Sequence, residues 1–86
     1  MALFLSVVTP ERPVLETEVE RVEAPGSEGE FGVLPGHEPF LAPLGAGELR
    51  YTDASGSHAL SITGGFAEVT GERVTVLADA VEEAPE

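Results

Sequence analysis

FAEVTGERVTVL, residues 66 to 77, reads in steps of two on both sides of a central glycine. β-Branched and aromatic residues at alternate positions suit a pleated strand, and Gly71-Glu72 fits a two-residue turn between two such runs. The simplest register across that turn pairs Val69 with Val74, Ala67 with Val76 and Phe66 with Leu77. An amphipathic helix would need apolar residues three and four apart, a spacing this stretch does not keep.

The same reading extends outward in both directions. Leu49 and Tyr51 face one way, and Leu60 and Ile62 answer them across a loop near Ala54 to Ser57, which predicts a second hairpin. Near the start, Leu3, Leu5 and Val7 alternate with Phe4, Ser6 and Val8. That strand is apolar on both faces, and Pro10 and Pro13 close it off, so a central position is expected. Between Val14 and Ala24 the alternation slips by one residue, because Val19 and Val22 are three apart. Two strand segments, or one strand with a bulge, would account for the slip. In "ITGGFAE" the Gly64-Gly65 pair opens a strand with neither lysine nor helix after it, which speaks for a bulge or a close backbone approach and against a phosphate loop. Turn residues interrupt the pattern roughly every 8 to 12 residues, and helical periodicity is hard to find. The fold class is therefore all-β, closing as a sandwich or flattened barrel of two antiparallel sheets. Residues 1–80 form the domain, and 81–86 read as a short acidic tail, frayed or the first turn of a further element.

With 86 residues the chain makes one small domain whose core leaves little room for a deep pocket. Sixteen acidic residues face four arginines and no lysine, for a formal charge of -12. Such a field repels phosphate backbones and anionic lipid, so neither nucleic acid nor direct membrane binding is expected. Cysteine is absent, which excludes disulfides, thiolate metal sites and a cysteine nucleophile. No apolar run reaches the roughly 20 residues that a membrane helix needs. The opening MALFLSVV lacks the basic start and cleavage pattern of a signal peptide, and reads as a first strand of an intracellular domain.

Little chemistry is offered. His58 enters a strand after a turn, where a surface position is the default. His37 is held between a turn and Pro39, but no nucleophile on a G-x-S-x-G elbow accompanies either histidine. Glu28, Glu30, His37 and Glu38 could supply oxygen and nitrogen ligands, yet their spacing fits neither a calcium loop nor a zinc pattern. No catalytic residue, cofactor or metal is expected. The acidic GSEGE run, flanked by rigid turns, suits docking to a basic partner.

GSEGEFGVLPGHEPFLAPLGAGELR, residues 26 to 50, followed by LSITGGFAEVTGERVTVLAD, residues 60 to 79, closely resembles the amino-terminal domain of the F-type ATP synthase epsilon subunit, called delta in mitochondria. The likeness runs from LFLSVVTPER to VTVLADAV with its spacing intact. It implies a ten-stranded flattened β-sandwich and a non-catalytic rotor subunit that links gamma to the c-ring, touches the catalytic head only indirectly, and sits at the cytoplasmic face of a bacterial membrane through the complex. Carried over by position, Ser27, Glu28, Gly29 and Glu30 match the ring-facing loop, with Glu30 the acid to meet the ring's basic loops. His37 falls with them near the junction of ring and gamma, and Thr9, Pro39, Phe40, Leu41 and Ala42 match gamma-facing positions. Glu38 makes this margin more acidic than is usual in the family. Members commonly continue into a two-helix hairpin that binds ATP or inhibits; the sequence stops at Glu86, so those roles are not expected of it, whether the form is naturally short or truncated. The alternative is a stand-alone β-sandwich module for a sugar or calcium ion. Such a module needs aromatic residues clustered on one face, and there are four Phe, one Tyr and no Trp.

Overall fold

A computed structural model describes residues 3–83, and every regular element in that span is a strand. The ten strands are β1 (Leu3–Val8), β2 (Pro13–Val19), β3 (Arg21–Gly26), β4 (Gly29–Val33), β5 (Phe40–Leu44), β6 (Gly47–Asp53), β7 (Gly56–Ile62), β8 (Gly65–Val69), β9 (Arg73–Ala78) and β10 (Val81–Glu83). They form one sheet in the order β10-β7-β6-β3-β5-β8-β9-β1-β2, with β4 on the other edge of β3. The sheet folds over where Gly26 of β3 pairs with Leu44 of β5. One layer is then β5-β8-β9-β1-β2 and the other β4-β3-β6-β7-β10, and β2 returns against β6 to close the barrel almost completely.

The 66–77 hairpin has the register its alternation predicts, with Val69 opposite Val74, Ala67 opposite Val76 and Phe66 opposite Leu77. In the β6–β7 hairpin Leu49 faces Leu60, but Ile62 faces Gly47 and Tyr51 faces His58. Its loop is only Ala54-Ser55, because Thr52 and Asp53 still pair with Ser57 and Gly56. The slip near Val19 is a break into two strands at Glu20, whose N–H donates to the Thr52 carbonyl at 2.7 Å. A register shift also lies between β1 and β2, where Val7 pairs with Leu15 and Val8 with Pro13. One pairing departs from the antiparallel expectation: β1 runs parallel to β9. Almost the whole chain connects those two strands, so the crossover that a parallel pair requires is available without a helix. Val81–Glu83, assigned by composition to the acidic tail, instead pair with β7 as a short edge strand; residues 84–86 of that tail lie outside the described residues.

Strand pleating sends one phase of every strand inward. Leu3, Leu5, Val7, Val22, Leu49, Ala67, Val74 and Val76 are completely buried in one cluster that draws on both layers. Phe31, Phe40, Tyr51 and Val81 pack on its rim. The molecule measures 29 × 28 × 23 Å, the thickness of two layers about 10 Å apart with side chains on their outer faces.

Candidate functional site

Ser27 and Glu28 form the exposed turn between β3 and β4, with Gly29 and Glu30 beginning β4. The turn is stitched to the next layer by the Ser27 N–H, which donates to the Pro43 carbonyl at 3.0 Å, and by the Gly45 N–H, which donates to the Pro25 carbonyl at 2.8 Å. Glu30 is not a free charge: its Oε2 lies 3.4 Å from the Arg50 guanidinium, which also reaches Glu48 at 3.6 Å. All three side chains are about half exposed, so each pair is worth only about 0 to 1 kcal/mol.

β4 is the free margin of its layer, and its far end carries the Leu34–His37 turn. Pro35 fixes the second position, Gly36 takes φ 87° at the third, and the His37 N–H closes the turn on the Leu34 carbonyl at 3.1 Å. The Gly36 N–H donates to the Gly71 carbonyl at 2.7 Å and so ties this turn to the β8–β9 hairpin. The His37 ring lies 5.0 Å from the Phe40 ring, which meets Phe31 edge-on at 5.3 Å. Leu34 is 60% exposed beside them. The residues matched to the ring thus occupy two ends of one margin: Ser27, Glu28, Gly29 and Glu30 at one end, His37 at the other, separated by a strand of roughly 13 Å.

The outer face of the other layer has different chemistry. Successive registers place Pro43 opposite Phe66, Phe66 opposite Leu77 and Leu77 beside Val8, one apolar row across β5, β8, β9 and β1. Phe66 and Leu77 are 51% and 52% exposed, and Leu41, two residues along β5 from Pro43, is 67% exposed. Of the residues matched to gamma, Leu41 stands on this face, and Thr9 borders it at the end of β1. The Thr9 hydroxyl is engaged in its own turn, accepting from the Arg12 N–H at 3.2 Å. Phe40 and Ala42 point to the opposite side, in phase with buried Leu44, while Pro39 is exposed in the loop before β5. Sequence reasoning missed Val8, Pro43, Phe66 and Leu77. Their signal was present in Val7-Val8, Phe66-Ala67 and Val76-Leu77, where both phases of the alternation are apolar.

The β6–β7 hairpin brings together Asp53, Ser55 and His58. Asp53 Oδ1 accepts from the Ser55 N–H at 2.8 Å and from its Oγ–H at 2.7 Å, and lies 3.1 Å from His58 Nε2. Ser55 Oγ is 3.0 Å from the same nitrogen. A relay needs the acid on one imidazole nitrogen and the nucleophile on the other. Here both meet Nε2, so the cluster caps a turn. The Ser55 hydroxyl and N–H, then His58, hold the Asp53 carboxyl below its ordinary range. Among the described residues, no three His, Cys, Asp or Glu side chains converge on one point.

Residues 2–84 match the family described as ATP synthase, Delta/Epsilon chain, beta-sandwich domain. The ATP synthase epsilon chain of Maridesulfovibrio salexigens is 49% identical over 84 residues, which cover 98% of this chain and 59% of the relative. That of Syntrophobacter fumaroxidans is 55% identical over 82 residues, covering 95% and 61%. The chain therefore spans about three-fifths of the length of these curated relatives. Among solved structures, a chain of the Euglena gracilis mitochondrial ATP synthase, in an assembly of OSCP, F1 and c-ring, superposes with a TM-score of 0.88 at 27% identity, over 95% of this chain and 53% of that one.

Proposed function

Since the chain belongs to the ATP synthase delta/epsilon β-sandwich family, we propose that it works as a non-catalytic part of the central stalk, joining gamma to the c-ring so that ring rotation is carried toward the catalytic head. The observation that carries this reading is the family match over residues 2–84, on a sandwich whose one outer face is apolar and whose β4 margin is acidic. Membership of the family supports the gamma and ring partners, and the structure of a relative solved with its c-ring supports the second.

The two surfaces suit different tasks. Transmitting torque needs an attachment that does not slip, and the Pro43, Phe66, Leu77 and Val8 row supplies flat apolar area for gamma. Covering the exposed half of Phe66 or Leu77 is worth about 1 kcal/mol each. Ser27 to Glu30 and His37, along the β4 margin, face the ring, and Thr9, Pro39 and Leu41 flank the gamma contact. Phe40 and Ala42 support it from inside. Rim charges such as Glu30 contribute little affinity and mainly set orientation and approach. The protein is placed at a membrane through this complex, on the cytoplasmic side in a bacterium.

The tagged chain, expressed in its source cells and purified from their membranes, should carry gamma and the catalytic subunits with it. Recovery without them overturns the reading. The double variant Phe66→Ser/Leu77→Ser should remain folded yet lose most of the gamma recovered.

A further inference from the structure

His37 has a fixed hydrogen-bond polarity. Its Nδ1 lies 2.8 Å from the Glu38 carbonyl oxygen. A carbonyl only accepts, so Nδ1 carries the proton and donates, and the neutral ring keeps a lone pair on Nε2. The ring cannot easily turn over to exchange the two nitrogens. Its backbone is held by the Leu34–His37 turn and by the Gly36 bond to Gly71, and its ring centroid lies 5.0 Å from that of Phe40 with the planes inclined at 54°. Among the described residues, no hydrogen bond to Nε2 is made. Glu38 beside it and Glu72 on the adjoining β8–β9 turn are both exposed, in a chain of formal charge -12. The arginine of that turn, Arg73, is set over the Phe4 ring at 4.9 Å on the outer face of the layer.

We propose that His37 Nε2 is a preset acceptor for a cationic donor, an arginine or lysine of the c-ring that the β4 margin faces, at the end of β4 remote from the Ser27–Glu30 turn. The proposal rests on the rotor reading above and deepens it: the partner should present a positive N–H at the LPGH turn, with Leu34 exposed beside it as an apolar flank. An acceptor on a chain of formal charge -12, with Glu38 next to it in sequence, favours a cation over a neutral amide, since both the hydrogen bond and the field then attract the same group.

Two measurements test it. The imidazole ¹⁵N spectrum of the chain alone should show the Nδ1–H tautomer for the neutral ring; a dominant Nε2–H form overturns the proposal whatever the fate of the rotor reading. In the assembled synthase, His37→Gln, which can place a carbonyl oxygen near the Nε2 position, should hold the subunit within about twofold of wild type during salt stripping. His37→Asn reaches only the Nδ1 position and should be held roughly tenfold less well at low salt. The Asn deficit should shrink as salt rises; a deficit independent of salt rejects the cationic donor. If both variants match wild type in a complex that wild type joins, the proposal fails and the rotor reading stands. If wild type itself does not join, both fail. A circular dichroism spectrum for each variant keeps loss of fold apart from loss of contact.

Discussion

Replacing Gly65 by alanine should damage the fold far more than replacing Gly56, although both glycines have similar φ. Gly65 has φ 135° and Gly56 φ 125°, a region that L-residues enter at a cost of about 1 to 2 kcal/mol. A Cβ on Gly56 would meet nothing within 4 Å, so that strain is all Gly56→Ala should lose. A Cβ on Gly65 would fall on the Leu77 carbonyl oxygen and lie 2.9 Å from the Ala78 Cα. Both are backbone atoms of the paired strand, which no rotamer change can move aside. β8 and β9 must part or slip, adding roughly 1 to 3 kcal/mol, so Gly65→Ala should lose about 2 to 5 kcal/mol. At this chain length each kcal/mol lowers Tm by about 4 to 8 °C, so the added 1 to 3 kcal/mol should separate the two variants by roughly 4 to 24 °C. Far-ultraviolet circular dichroism suits the melt because the chain has no Trp. Equal melting of the two variants would refute the close approach of β8 to β9 and with it the reason for two consecutive glycines before Phe66.

Three further expectations use the same ledger of burial and charge. Leu5→Ala empties a completely buried position between β2 and β9 and should destabilise by about 2 to 5 kcal/mol in urea, against under about 0.5 for exposed Leu41→Ala. Glu30→Gln removes a half-exposed pair with Arg50, so the urea midpoint of the isolated chain should barely move while seating on the ring weakens most at low salt; an unfolded variant would make Glu30 structural instead. Asp53 has its carboxyl pKa lowered by folding, so the unfolded chain binds more protons as pH falls: its contribution is complete above the ordinary aspartate value of 3.8 and lost on passing down through the folded value. Protection of the Ser55 amide should therefore decline in that acidic window for wild type, and a profile unchanged by Asp53→Asn would reject the link.

Strand existence was legible because alternation and turn chemistry are local. FAEVTGERVTVL carries its own register, and the break at Glu20 shows as a slip between Val19 and Val22. Loop length was less legible: Ala54 to Ser57 reads as a loop by composition, yet Gly56 and Ser57 pair with Asp53 and Thr52, which leaves only Ala54-Ser55 outside the ladder. The interaction surfaces were legible only in part. GSEGE and LPGH stand out by their glycine, proline and charge, but Phe40 and Ala42 looked equivalent to Leu41 until pleating placed them on the opposite side.

By itself, then, the sequence determined an all-β chain, its hairpins, its acidic field and its family likeness, since periodicity, charge and motif spacing are properties of neighbours along the chain. Tertiary structure decided the rest. The parallel pairing of β1 with β9, the apolar row from Pro43 through Phe66 and Leu77 to Val8, and the bond from Arg50 to Glu30 join residues distant in sequence. No local rule ranks those partners; they are selected by closing one core in which Leu3, Leu5, Val22, Leu49, Val74 and Val76 are all removed from water together.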